Sequence, residues 1–72
     1  MLTYKRIYDD NGIQRYEYYP DGNTDRPGVV EFETGKPPKI IQESERDYKQ
    51  YFAIHALSHI DTSKETGMVA WY

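Results

Sequence analysis

The chain contains no cysteine, which excludes disulfides, iron–sulfur clusters, thiolate zinc sites and cysteine nucleophiles together and fits a reducing compartment. Leu, Ile, Val and Phe are scarce, thirteen of 72 residues, a share at which disorder has to be considered. No apolar run approaches the roughly 20 residues that span a bilayer, and Met1 to Arg6 carries no signal-peptide core. A cytoplasmic location with no membrane partner is expected. Basic residues are also in deficit: nine Lys and Arg against twelve Asp and Glu leave a net charge of -3, whereas nucleic acid and anionic membranes select clustered positive charge. Missing too are a phosphate-binding Gly-rich loop, a dinucleotide fingerprint and a nucleophile elbow. Ser44, Ser58 and Ser63 have no evident orienting acid or oxyanion hole, so a non-catalytic role is expected and no cofactor is implied.

What the chain has instead is tyrosine, eight residues beside a single Trp. Each such ring buries roughly 150 to 250 Å² when packed, so a core is attainable only if tyrosines are part of it. Residues 1–72 make one domain. A domain of this size hides only about 60% of its unfolded surface, and a homodimer is expected to supplement it.

Asp10-Asn11-Gly12 is a strong hairpin signal between Tyr- and Ile-rich segments at 3–8 and 13–19. A two-residue type I′ loop would pair Asp10 with Ile13, Tyr8 with Arg15, Ile7 with Tyr16, Arg6 with Glu17 and Tyr4 with Tyr19. Ile7, Tyr16 and Tyr18 then share the face favoured for the core, with Leu2 and Tyr4 competing from the other. Pro20 to Gly28 reads as a polar loop, Val29 to Glu33 as a half-buried strand with Val30 and Phe32 inward, and Lys39 to Gln42 as an edge strand after Pro37-Pro38. Ser44-Glu45-Arg46-Asp47 is a capping box that predicts a helix from Ser44 to about Ile60, with Phe52, Ala53, Ala56, Leu57 and Ile60 as its apolar stripe. Met68 to Tyr72 predicts a C-terminal strand that pairs with the sheet or with a second subunit. The expected fold is α+β, an antiparallel sheet of four or five strands, an N-terminal meander plus the C-terminal strand, packed on one helix.

His55 and His59, four apart on that helix, face the same way and are weak metal candidates; Ala56 replaces the catalytic Glu of a zinc protease, and the plainer expectation is two imidazoles bordering the core. Asp21, Asn23 and Asp25 mimic the first ligands of a calcium loop, but Arg26 and Phe32 stand where that design needs Gly and Glu. The surplus tyrosines suit either the core or a binding surface that is wet on one side and apolar on the other. The binding reading assigns an aromatic patch or dimer interface to Tyr4, Tyr8, Tyr19, Trp71 and Tyr72, with Arg6 and Arg15 as polar anchors.

Met1-Leu2-Thr3-Tyr4-Lys5-Arg6-Ile7, Tyr16-Glu17-Tyr18-Tyr19-Pro20-Asp21-Gly22 and Gly67-Met68-Val69-Ala70-Trp71-Tyr72 resemble small uncharacterised proteins encoded by Gram-positive bacteria and their prophages or mobile elements. The likeness covers most of the chain. That group has no assigned activity, so the resemblance carries over no functional residue and implies a context only, one in which small proteins often work by binding a host or phage protein. The functional expectation is therefore a protein-binding module, with single-stranded nucleic-acid binding through a Tyr-rich sheet face and metal binding through His55 and His59 as the alternatives.

Overall fold

The computed structural model describes residues 1–70. Strands β1 (Leu2–Asp10), β2 (Ile13–Pro20), β3 (Gly28–Glu33) and β4 (Lys39–Gln42) form a meander, helix α1 (Tyr51–His59) follows, and strand β5 (Thr66–Val69) closes the sheet. All neighbours are antiparallel in the order β4-β3-β2-β1-β5, so the helical segment carries the chain from one sheet edge to the other. Residues 66–69 thus pair with β1 of their own chain; Trp71 and Tyr72 lie outside the described residues.

The β1–β2 hairpin turns where the sequence places it, with Asn11 and Gly12 both at positive φ, 53° and 78°, as a type I′ turn requires. Asp10 and Tyr8 pair with Ile13 and Arg15 as expected, but a β-bulge follows between Arg6 and Tyr8, and the partners of Arg6 and Tyr4 become Tyr16 and Tyr18 instead of Glu17 and Tyr19. The extra residue is Ile7. Because side chains alternate, one inserted residue sends everything before it to the opposite face. The expected core face of Ile7, Tyr16 and Tyr18 is corrected accordingly: Tyr16 and Tyr18 are fully buried, Leu2 and Tyr4 join them, and Ile7 is 49% exposed.

Tyr4 and Tyr18 are cross-strand neighbours, and each faces a glycine on its other side, Gly67 on β5 and Gly28 on β3. A Cβ at either glycine would collide with the tyrosine beside it. The missing side chains let the two rings lie down over the adjacent strands, leaving room above for Ala53 and Ala56, which are completely buried. Tyr16 packs edge-on against both Tyr4 and Phe32, at centroid separations of 5.6 and 5.9 Å. Phe52, Leu57 and Ile40 pack against this cluster from the rim. Tyrosine is thus the core filler, and its hydroxyls need partners.

Those partners lie in the segments on either side of α1. Tyr18 donates to Asp47 Oδ2 (3.0 Å) and accepts from the Ser44 amide (3.1 Å); Tyr16 donates to the Lys64 carbonyl (2.7 Å), and Tyr4 accepts from the Asp61 amide (3.4 Å). This arrangement shortens the helix. Ser44 does not cap it, since its hydroxyl donates to the Arg26 carbonyl and accepts from the Arg46 amide, and Lys49 and Gln50 adopt left-handed φ of 53° and 61° that a right-handed helix cannot include. The helix predicted from Ser44 therefore begins at Tyr51. Asp47 caps it from outside, its carboxylate oxygens accepting the Phe52 and Ala53 amides at 2.8 and 3.0 Å, where a negative charge also meets the favourable end of the helix dipole.

Candidate protein-binding surface

Helix α1 packs on one face of the sheet, over Tyr4, Tyr16, Tyr18 and Val30, and among the described residues no helix or strand packs on the other, here called the open face. Strand alternation and register define the rows of that open face. One row runs Tyr8–Arg15–Glu31–Lys39 across β1 to β4, the next runs Thr66–Lys5–Glu17–Val29–Gln42 across all five strands, and a third holds Met68, Thr3 and Tyr19.

Glu31 is the centre of the first row. It is only 4% exposed although it stands on the uncovered side. Arg15 Nε donates to its Oε1 at 2.8 Å and Lys39 Nζ lies 3.1 Å from its Oε2, and these hydrogen bonds, Arg15's first, hold the carboxyl below its ordinary range against the opposing effect of burial. The Arg15 guanidinium lies over the Tyr8 ring, 4.9 Å from its centroid, a cation–π contact that fixes the plane of the fork. On the neighbouring rows Tyr19 donates to Glu17 Oε1 at 2.8 Å; burial first, and then the Glu17 carboxylate, push its phenol up to about 12.

The residues expected to form an aromatic patch are therefore divided. Tyr8 and Arg15 stand together on the open face, Tyr8 40% exposed. Tyr4 is corrected to a core residue beneath the helix, because the Ile7 bulge turns it inward. Tyr19 is on the open face but buried, its hydroxyl spent on Glu17, so it too is removed from the exposed patch. Arg6 is turned to the helix side, between Asp9 (3.8 Å) and Glu65 (3.6 Å). Trp71 and Tyr72 fall outside the described residues.

Sequence reasoning names Lys5 and Lys39 only as cations near the tyrosines and does not single out Glu31; the alignment of all three with Arg15 depends on a sheet register that no local pattern encodes. It also missed a second exposed group. Tyr48, Tyr51 and Ile54, three apart, are among the most exposed large apolar residues described, with Tyr48 at 75%. Their spacing was visible, but the inward stripe of Phe52, Ala53, Ala56, Leu57 and Ile60 had already accounted for the apolar character of the segment.

His55 and His59 stack at a centroid separation of 6.0 Å, and among the described residues no group of three His, Asp or Glu side chains is arranged to hold a metal ion. Asp25 is taken by Arg46 at 2.9 Å. A groove of about 210 Å³ lies at the far end of the sheet between Gln14, Phe32, Glu33, Thr34, Lys36 and Thr62; there Gln14 Nε2 donates to the Thr62 carbonyl at 3.1 Å and Thr34 Oγ1 to the Gly12 carbonyl at 3.4 Å. No helix among the described residues is long and apolar enough to cross a membrane. Comparison with protein-family models, with curated proteins and with solved structures found no match. The open face itself is the feature on which a functional reading rests.

Proposed function

We propose that this chain is a non-catalytic protein-binding module that docks its partner on the open sheet face, as a cytoplasmic interaction protein or inhibitor of a host protein in the prophage or mobile-element setting that the resemblance implies. The observation that carries the reading is the uncovered face itself. In a chain so short of large apolar residues, Tyr8 and Met68 remain exposed on that face, with Met68 at 61%, beside a fixed row of Arg15, Glu31 and Lys39. Apolar side chains around a rigid Arg–aromatic pair are the composition of an interface hot spot. A second copy of the chain is one such partner and a foreign protein the other.

The test is site-specific photocrosslinking in the native host. A benzophenone amino acid at position 8 gives one discrete adduct, which Arg15→Glu abolishes while thermal denaturation shows a folded protein; the same probe at Tyr48 is the comparison. The mass of the adduct distinguishes a second copy from a foreign partner. Adducts from position 48 with none from position 8 would move the site to the helix and overturn the proposal.

A further inference from the structure

The two edges of the sheet are not alike. Strand β4 is guarded: Pro37 and Pro38 lead into it, Lys39 stands on it with its side chain 63% exposed, and a bulge interrupts its pairing with β3 between Val29 and Val30, all features that discourage a further strand. Strand β5 has none of them. Thr66-Gly67-Met68-Val69 carries no charge and no proline, and its register with β1 is unbroken. The Arg6 amide donates to the Glu65 carbonyl at 2.6 Å, which sets the phase of this antiparallel ladder. Glu65, Gly67 and Val69 turn their backbone groups to β1, and Thr66 and Met68 turn theirs to the free edge. Among the described residues no hydrogen bond reaches those outward groups.

We propose that β5 pairs antiparallel with β5 of a second copy, about a two-fold axis through Gly67, so that one sheet runs across both chains. In that register Thr66 of each copy exchanges both backbone hydrogen bonds with Met68 of the other. A second copy fits this edge better than a foreign strand. The Tyr4 ring covers Gly67 so closely that a Cβ there would lie 2.4 Å from its hydroxyl, and side chains of a directly opposed, non-hydrogen-bonded pair come closest of all. A bulky residue of an incoming strand would therefore meet that hydroxyl, whereas another Gly67 brings no side chain. Charge agrees. Two chains of net charge -3 repel, but about this axis Glu65 stands opposite Val69 and no like charges are opposed. The guarded β4 also limits the geometry, because β5 paired with β4 of the next copy would build an open filament, whereas β5 paired with β5 closes on itself. The proposal does not rest on the docking reading: β5 reaches only Leu2 to Lys5 of β1, so Tyr8 and Arg15 remain accessible on both copies.

The experiment is sedimentation velocity of the full chain across a dilution series, with amide hydrogen exchange measured beside it. A pair of four-residue strands buries less than a standard interface, so the mass is expected to rise from one chain to two between about 10 μM and 1 mM. The Thr66 and Met68 amides should gain protection as concentration rises, while those of Lys39 to Gln42 do not. Met68→Lys, at a side chain already 61% exposed, should weaken the dimer by about tenfold or more without changing the circular dichroism of the monomer. Ile54→Lys, on the outer side of α1, should leave the dimer unchanged. A monomer at every concentration would overturn the proposal. So would a dimer that survives Met68→Lys with no added protection at Thr66 and Met68, and loss of the dimer with Ile54→Lys would move the contact to the helix. Growth beyond two chains would show that β4 is used as well and would overturn the closed two-fold.

Discussion

Tyr18→Phe isolates the contribution of one hydroxyl to the attachment of the helix. The ring is fully buried and lies over Gly28, and phenylalanine preserves that packing, so the change removes only the bonds to Asp47 Oδ2 and from the Ser44 amide. Asp47 keeps the Phe52 and Ala53 amides, which limits the loss on that side. Ser44 is only 3% exposed, and its amide would be left buried without an acceptor, at a cost of about 1–3 kcal/mol. With a charge-assisted bond lost as well, the expected destabilisation is about 2–3 kcal/mol, or about 8–24 °C in Tm for a domain of this length. Urea and thermal denaturation followed by circular dichroism measure it. Tyr4→Phe is the matched control, since its hydroxyl accepts one long bond of 3.4 Å from the Asp61 amide, and about 0.5 kcal/mol is expected. If the two variants lose the same stability to within about 0.5 kcal/mol, a difference too small for the buried amide to count, the reasoning is refuted.

Gly28→Ala places a methyl group in the space of the Tyr18 ring and should cost about 1–3 kcal/mol by overpacking; a stability equal to the parent in urea denaturation would contradict the described packing. Deleting Ile7 should be tolerated, because it removes the bulge while keeping Arg6 opposite Tyr16 and Tyr8 opposite Arg15; cross-strand nuclear Overhauser contacts between Tyr4 and Tyr18 should persist, and their disappearance would show that the bulge is required. On the acid side, Glu31 is held below its ordinary 4.5, so its contribution to stability is present above that value and is lost as pH falls through the lower folded value. Glu31→Gln should flatten that part of the pH–stability curve. On the alkaline side, the Tyr19 phenol is raised from 10.0 to about 12, so its contribution is complete below pH 10 and is lost as pH rises through the folded value; tyrosinate absorbance should show it ionising after the exposed rings.

The alternation of β2, the Asn11-Gly12 turn, the edge position of Lys39–Gln42 and the inward stripe of α1 were all legible, because each depends on residues a few positions apart. Two features were not. The Ile7 bulge arises because burying Leu2 and Tyr4 beside Tyr16 and Tyr18 outweighs an unbroken ladder, a comparison of core against register that no window around Ile7 contains. The start of α1 was misplaced for a similar reason: Ser44 has the local chemistry of a cap, but Tyr18, 26 positions earlier, takes its amide and the Arg26 carbonyl takes its hydroxyl. The open face divided along the same line. The pairing of Tyr8 with Arg15 was legible because the hairpin turn fixes it, whereas the alignment of Glu31 and Lys39 with them needed the full strand order.

The sheet hydroxyls that hold the helical arm at both ends imply a particular order of opening. A nine-residue helix is too short to persist alone in water, where about 12–15 residues are marginal, and β5 is reached only through it. Release of Tyr18 from Asp47 and of Tyr16 from Lys64 would therefore free residues 44–69 as one cooperative unit, while β1, β2 and β3 keep their mutual ladder. Amide hydrogen exchange should report two classes of protection. The arm and the fifth strand would share a common, lower opening free energy, and the three central strands would exchange only on global unfolding.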